Sequence, residues 1–280
     1  MIALRPITDA LGVEVLGLDL SGPISASDFD KIYEAWVDAT VMLIRGLSLT
    51  PTQQLDFARR FGPITTYSKP ENRHPAHPDV LILSNLGADG QPTGASASGR
   101  YWHTDGHYMR EPPAASLLYS VEVPPGGGDT WFANMQAAYD ALPEELKKRL
   151  EGLKVIISRV QSRPYNYPER PPVTKEQQAA WPDMPQPLVR THPVTGRKAL
   201  YVGGNVPWRI EGMSDDESAP LITELQAFAT QPQFTYAHRW RPGDLILWDN
   251  RSAMHKATAY DEIKHRRLMH RVSLAGDVPY

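Results

Sequence analysis

Trp102–Asp105 places a histidine and an aspartate two positions apart. In an extended segment, such positions point to the same side, so His103 and Asp105 could aim an imidazole nitrogen and a carboxylate oxygen at one point. That spacing alone is weak, because ordinary strands carry it too. It gains weight from His255, which follows the apolar run Asp244–Asp249 and could bring a third ligand from far away in the chain. Two histidines and one carboxylate on one face of a metal leave other coordination positions open, the arrangement used for ferrous oxygen chemistry. Alternation also puts His107 on the His103 face, where it reads as pocket wall rather than ligand. His74, His77, His192, His238, His265 and His270 have no spacing that pairs them with a carboxylate, and they read as structural.

A second chemical signal lies in His265–Leu274. Alternation puts Arg267, Met269 and Arg271 on one face of this closing strand, with Arg266, Leu268, His270 and Val272 on the other. Two arginines facing one way repel unless anions sit between them, and a guanidinium fork suits bidentate capture of a carboxylate. Salt bridging to Asp or Glu is the ordinary alternative, and the two readings stand level. The run Gly126–Thr130 lacks the lysine and the helix that a phosphate loop needs. It reads as a tight turn feeding a strand, with the Thr130 hydroxyl open to a ligand.

The elements that must hold these residues are short strands with a few capped helices. Strands are expected near 13–20, 41–45, 80–83, 115–121, 129–132, 153–159, 234–240, 245–248 and 265–274, with a hairpin over 188–202. Ser25, Thr50, Asn134 and Ser214 read as N-caps, Thr50 with Pro51 at the first helical position. The stretch 162–187 holds seven prolines with Tyr165, Tyr167 and Trp181. It reads as irregular, and 161–187 as a lid over the site together with the Gly-Ser-Ala-rich stretch near 86–101. The census predicts a mainly β fold, a sandwich or barrel with flanking helices packed outside.

Composition sets the bounds. The 280 residues, 41% hydrophobic, suit one large domain over 1–280, with no linker or repeat to divide them. A formal charge of −3 with both signs interspersed argues against nucleic acid or a membrane surface as partner. The absence of cysteine excludes disulfides and thiolate chemistry and fits a reducing cytoplasm. No signal peptide or spanning segment is apparent, so a cytoplasmic protein is expected, with a homodimer or homotetramer among its possible states.

Taken together, Trp102–Asp105, Pro124–Thr130, Val189–Lys198, Gly243–Arg251, His255 and Arg266–Arg271 resemble the iron(II)/2-oxoglutarate dioxygenases that include taurine dioxygenase and 2,4-dichlorophenoxyacetate dioxygenase. The resemblance runs from Gly17–Leu20 almost to the end of the chain. It implies a double-stranded β-helix, the cupin-like jelly roll. It implies Fe(II) on His103, Asp105 and His255, with O2 and 2-oxoglutarate as co-substrates. It implies that Arg267, 12 residues past His255, and Thr130 hold the distal carboxylate of 2-oxoglutarate, and that Arg271 binds the acidic group of the prime substrate. The expected reaction is hydroxylation of a small organic acid with release of succinate and CO2, followed by C–O or C–S cleavage where the hydroxylated carbon bears oxygen or sulfonate. A metal-dependent hydrolase or isomerase, or a silent small-acid-binding barrel, is the alternative. Near Tyr67 the taurine enzymes carry a histidine, and at Gly99 an asparagine, so these departures point away from taurine. Tyr67, Tyr101, Tyr108 and Trp208 are the expected walls of a pocket for an aromatic or extended apolar body.

Overall fold

A computed structural model of the chain describes residues 2–66, 70–87, 90–91, 99–167, 170–203 and 207–280. Its centre is a pair of facing antiparallel sheets. In the larger sheet, His77–Ser84 pairs with Leu268–Leu274, which pairs with Ala115–Glu122, which pairs with Leu245–Asp249. In the smaller sheet, Thr235–His238 pairs with Thr130–Asn134, which pairs with Ala253–Ala257. A single bridge from His255 to His103 adds a fourth, vestigial strand to that sheet. Followed along the chain, the path alternates between the sheets except where two neighbours of the smaller sheet follow one another. This winding is the double-stranded β-helix, as the resemblance implied. Val41–Ile44 extends the larger sheet beyond Leu245–Asp249, and Val13–Leu16 and Ala3–Pro6 extend it further.

The period of two along these strands sorts side chains between two cores. Val41, Leu43, Leu118, Ile246, Trp248 and Met269 point between the sheets, where they meet Phe132 and Trp240. Their neighbours Met42, Ile44, Leu117, Tyr119, Leu245, Leu247, Val272 and Leu274 point outward against the helices Ala26–Ala39 and Pro51–Arg59. Ser25 caps the first of these helices and a reciprocal Thr50–Gln53 box caps the second, as their sequences predict. Each such cap stabilises its helix by about 1 kcal/mol, whereas the outward apolar face supplies most of what docks it.

Between Thr130–Asn134 and Thr235–His238 the chain makes a long excursion with its own core. Met135, Leu142, Leu150, Ile157, Leu188, Leu200, Ile210, Leu221 and Leu225 pack together there. His192, wholly buried, joins the excursion to the β-helix: its Nε2 donates to Asp249 at 3.0 Å, and its Nδ1 accepts the amides of Val194 and Thr195. The Val189–Lys198 motif is therefore a structural joint, with Val189–Thr191 and Lys198–Leu200 forming the expected hairpin.

The stretch 162–187 is more regular than its prolines suggest. Helices Arg159–Asn166 and Lys175–Ala180 and the strand Met184–Pro187 run through it. Pro164 sits within the first helix, where it gives up one backbone bond. The second begins at a Thr174–Gln177 capping box, a signal readable in the sequence. Much of the 86–101 stretch lies outside the described residues.

Candidate metal centre

His103 and His255 face each other across the narrowest part of the smaller sheet. Each amide donates to the other's carbonyl, at 3.0 and 2.9 Å, so both rings leave the backbone on one side and their centroids lie 4.2 Å apart. Asp105 completes the group: ligand atoms of the three residues lie within 4.8 Å of one another. Asp105 does not come from a continuing strand, as alternation would have it. Residues 105–108 form a turn, with Gly106 at φ +64°. A side chain at Gly106 would also collide with Pro113, whose Cδ would lie 2.5 Å from its Cβ. The turn sends His107 away from the group. Its buried ring packs against Tyr201, with centroids 4.2 Å apart, and it is not among the three grouped residues.

The donor set has the charge a divalent cation needs. Burial lowers the pKa of His103, and burial together with the His103 ring lowers that of His255 to about 3. Both imidazoles are therefore neutral with a lone pair available. The Nδ1 of His103 lies 2.8 Å from the Tyr101 carbonyl; donation there leaves Nε2 free to coordinate. Burial pushes Asp105 up, but Arg271, the two histidines and Ser116 outweigh it and hold the carboxyl well below the usual range. Ser116 donates to Asp105 Oδ2 at 2.8 Å, and Asn250, itself taking the Trp248 indole N–H, donates to Ser116. These contacts fix the carboxylate without using its full acceptor capacity. The Nε2 of His255 lies 3.9 Å from Asp105 Oδ2 and completes a donor set that fits a metal; the buried Nδ1 of the same ring has no hydrogen-bond partner among the described residues.

The closing strand begins at Leu268 rather than near 265, so Arg271 lies on it and Arg267 just before it, and the two arginines have different surroundings. Arg271 Nη1 reaches Asp105 Oδ1 at 3.1 Å, the salt bridge named above as the ordinary alternative. Arg267 meets no carboxylate among the described residues, and its buried Nε has no partner there. Burial lowers its pKa to about 10, with only the Tyr260 phenol acting in the other direction. The residue as a whole is half-buried, so this cation, without a carboxylate among the described residues, is placed to take an anion from outside the chain. The glycine turn lies against it: a Cβ at Gly128 (φ +70°) would approach Arg267 Cδ to 3.5 Å and Pro124 Cγ to 3.2 Å. Two residues past Gly128, Thr130 is buried, and its Oγ1 accepts the Trp240 indole N–H at 2.9 Å, which leaves its own proton to donate.

Aromatic side chains crowd the other flank. The Tyr101 ring lies 5.1 Å from that of His103 and 6.4 Å from that of Tyr167. Burial first, then Tyr167, raises the Tyr101 pKa, and burial also raises that of Tyr108, so both phenols stay protonated. The Arg159 guanidinium stacks between Tyr108 and Trp181, at 4.2 and 4.1 Å from their ring centroids. That clamp ties the 159–181 segment to the residues beside the metal group. Sequence reasoning did not single out Arg159. Trp208 lies on strand Pro207–Ile210 with its ring under the Arg209 guanidinium, and it makes no ring contact with the His–Asp group among the described residues. Tyr67 lies outside the described residues.

A jelly roll with an open two-histidine, one-carboxylate group defines the non-haem, oxygen-using class of dioxygenases. The profile of the taurine catabolism dioxygenase TauD, TfdA family matches residues 3–273, and the chain belongs to that family. It is 34% identical over 290 residues to the alpha-ketoglutarate-dependent 2,4-dichlorophenoxyacetate dioxygenase of Cupriavidus pinatubonensis, covering 99% of this chain and 98% of that one. An alpha-ketoglutarate-dependent sulfate ester dioxygenase of Pseudomonas putida is also 34% identical, over 98% of this chain and 90% of its own length. Among solved structures, AAD-2 in complex with Mn(II) and N-oxalylglycine superposes with a TM-score of 0.88 at 34% identity, over 100% of this chain and 98% of that one.

Proposed function

We propose that the chain is an Fe(II)/2-oxoglutarate-dependent dioxygenase that hydroxylates a small organic acid. The observation that carries this reading is the neutral-neutral-anionic group His103, Asp105 and His255, set in the same barrel as a half-buried Arg267 that meets no carboxylate among the described residues. When bound, the metal and 2-oxoglutarate supply the oxidising chemistry: O2 is consumed, 2-oxoglutarate becomes succinate and CO2, and a substrate C–H gains a hydroxyl.

The chain's own residues bind, orient and exclude water. His103, Asp105 and His255 hold the metal. Arg267 and Thr130 hold the distal carboxylate of 2-oxoglutarate, one as a charged fork and the other as a hydroxyl donor. Arg271 keeps Asp105 ionised and bears the negative group of the prime substrate, whose entry adds a second anion to the one it already faces. Tyr101 and Tyr108 line the substrate's apolar body, with Tyr67 and Trp208 as further wall positions. The two relatives named above act on an aryloxyacetate and on sulfate esters, which supports an aryloxyalkanoate, sulfonate, sulfate ester or similar acid as substrate. Where the attacked carbon bears ether oxygen or sulfur, the hydroxylated product collapses with C–O or C–S cleavage.

The molecule reads as one domain over 1–280, with 161–187 and 86–101 as coverings of the site. Among the described residues no helix is long and apolar enough to cross a membrane, and a cysteine-free chain suits the cytoplasm. A homodimer or homotetramer belongs to the same reading.

Metal removal tests the proposal. Dialysis against a chelator is expected to abolish 2-oxoglutarate consumption, and Fe(II) with ascorbate to restore it, whereas Zn(II) does not. Restoration by Zn(II) without oxygen would replace the dioxygenase reading with a hydrolase.

A further inference from the structure

Asn85, the residue after strand His77–Ser84, is only 5% exposed and spends its whole side chain on one loop. Its Nδ2 donates to the carbonyls of Glu262 and His265, both at 3.0 Å, and its Oδ1 accepts the amide of Arg267 at 2.9 Å. This loop links Ala253–Ala257, which carries His255, to Leu268–Leu274, which carries Arg271. It is fastened at its near end as well: Thr258 donates its amide to Asp129, and the Gly128 amide donates to Ala259. An Arg100–Glu262 ion pair adds a tie from the segment just before the metal group. Arg267 is thus pinned through its own backbone by Asn85 and along its stem by the glycine turn.

We propose that Asn85 is the positioning residue for Arg267, and thereby sets the enzyme's preference for 2-oxo acids that carry a distal carboxylate. The inference rests on the reading that Arg267 holds that carboxylate. A guanidinium captures a carboxylate through two near-parallel bonds whose geometry tolerates little displacement. The only side-chain bond to the Arg267 backbone among the described contacts comes from Asn85, so releasing it frees the fork to swing. Asparagine is the small side chain that offers both the two N–H donors for two carbonyls and the acceptor for an amide. Aspartate keeps the shape and the acceptor but turns the donor edge into a second acceptor facing two carbonyl oxygens.

The test compares 2-oxoglutarate with 2-oxobutyrate, which has the same metal-binding end and no distal carboxylate. Dissociation constants are measured calorimetrically in the Mn(II)-loaded full chain for the native protein, Asn85→Ala, Asn85→Asp and Arg267→Met. The expected result is a fall of about tenfold in the preference for 2-oxoglutarate in both Asn85 variants, the scale of one charge-assisted bond set out of line. Binding of 2-oxobutyrate should hold within about twofold, since the metal end is untouched. Arg267→Met should abolish the preference. If Asn85→Ala weakens both acids alike, or neither, while Arg267→Met abolishes the preference, Asn85 has no positioning role and the proposal fails alone. An unchanged preference in Arg267→Met would overturn the arginine's role first and the proposal with it. Should Asn85→Ala lack a cooperative melt, Asn85→Asp decides by the same comparison, and loss of folding in both would make Asn85 purely structural.

Discussion

The His255→Ala protein is expected to fold but to lose turnover by a factor on the order of 10³ or more, because the metal's contribution to the barrier is several kcal/mol. Folding survives because His255 joins the sheet through its backbone, which alanine keeps: the His103 and His255 amide–carbonyl pair is independent of either ring. Its ring is buried against Trp248, with centroids 4.6 Å apart, so some stability goes with the lost contact. The measurement pairs a melting curve with metal content after Fe(II) loading under nitrogen. A cooperative melt, little bound iron and no turnover are the expected set. Full activity in this variant would sink the assignment of the site.

The second large effect separates the two arginines. Arg267→Ala should raise the 2-oxoglutarate requirement by roughly 30- to 700-fold, the equivalent of about 2–4 kcal/mol for a lost charged fork. The KM for the prime substrate should change little. Arg271→Ala should do the reverse and raise the prime-substrate KM. It should also lower kcat, because Arg271 is bonded to Asp105 at 3.1 Å and its loss removes the largest influence opposing the burial of that carboxylate. The kcat component was not visible in the sequence; it follows from the salt bridge. Exchange of the two KM phenotypes would mean that the arginines hold opposite ligands.

What the sequence disclosed, and what it did not, follows from the range of the interactions. Caps at Ser25, Thr50, Asn134 and Ser214 are local, one side chain answering an amide two or three residues on, and each forms as expected. Strand period puts Met269 and Arg271 on one face of Leu268–Leu274, and Met269 points inward; Arg267 precedes the strand, and a register irregularity between Leu268 and Met269 interrupts the alternation that the sequence extended to it. The strand Ala253–Ala257 was harder, because its mixed residues show no alternation and it exists through pairing with Thr130–Asn134, more than a hundred residues away. The expectation of irregular chain across 162–187 weighed the prolines and passed over the Thr174–Gln177 box.

At the site, His103 and Asp105 do meet, but through a turn that Gly106 permits rather than through a strand. Residues that act at one remove left less trace. Ser116 is one small polar position in an apolar strand, and Asn85 follows another strand; neither declares its partner until the fold brings Asp105 or the 262–267 loop to it.

Oxidation coupled to decarboxylation of 2-oxoglutarate is read directly by succinate release. The Fe(II)-loaded protein, with ascorbate, O2 and 2-oxoglutarate, would be assayed against aryloxyalkanoates, sulfonates, alkyl sulfates and other small acids. The predicted result is succinate formed in step with oxygen consumed, slow alone and stimulated by one class of acid. No succinate from protein with iron bound, with or without any acid, would rule out 2-oxoglutarate-dependent oxidation by this protein.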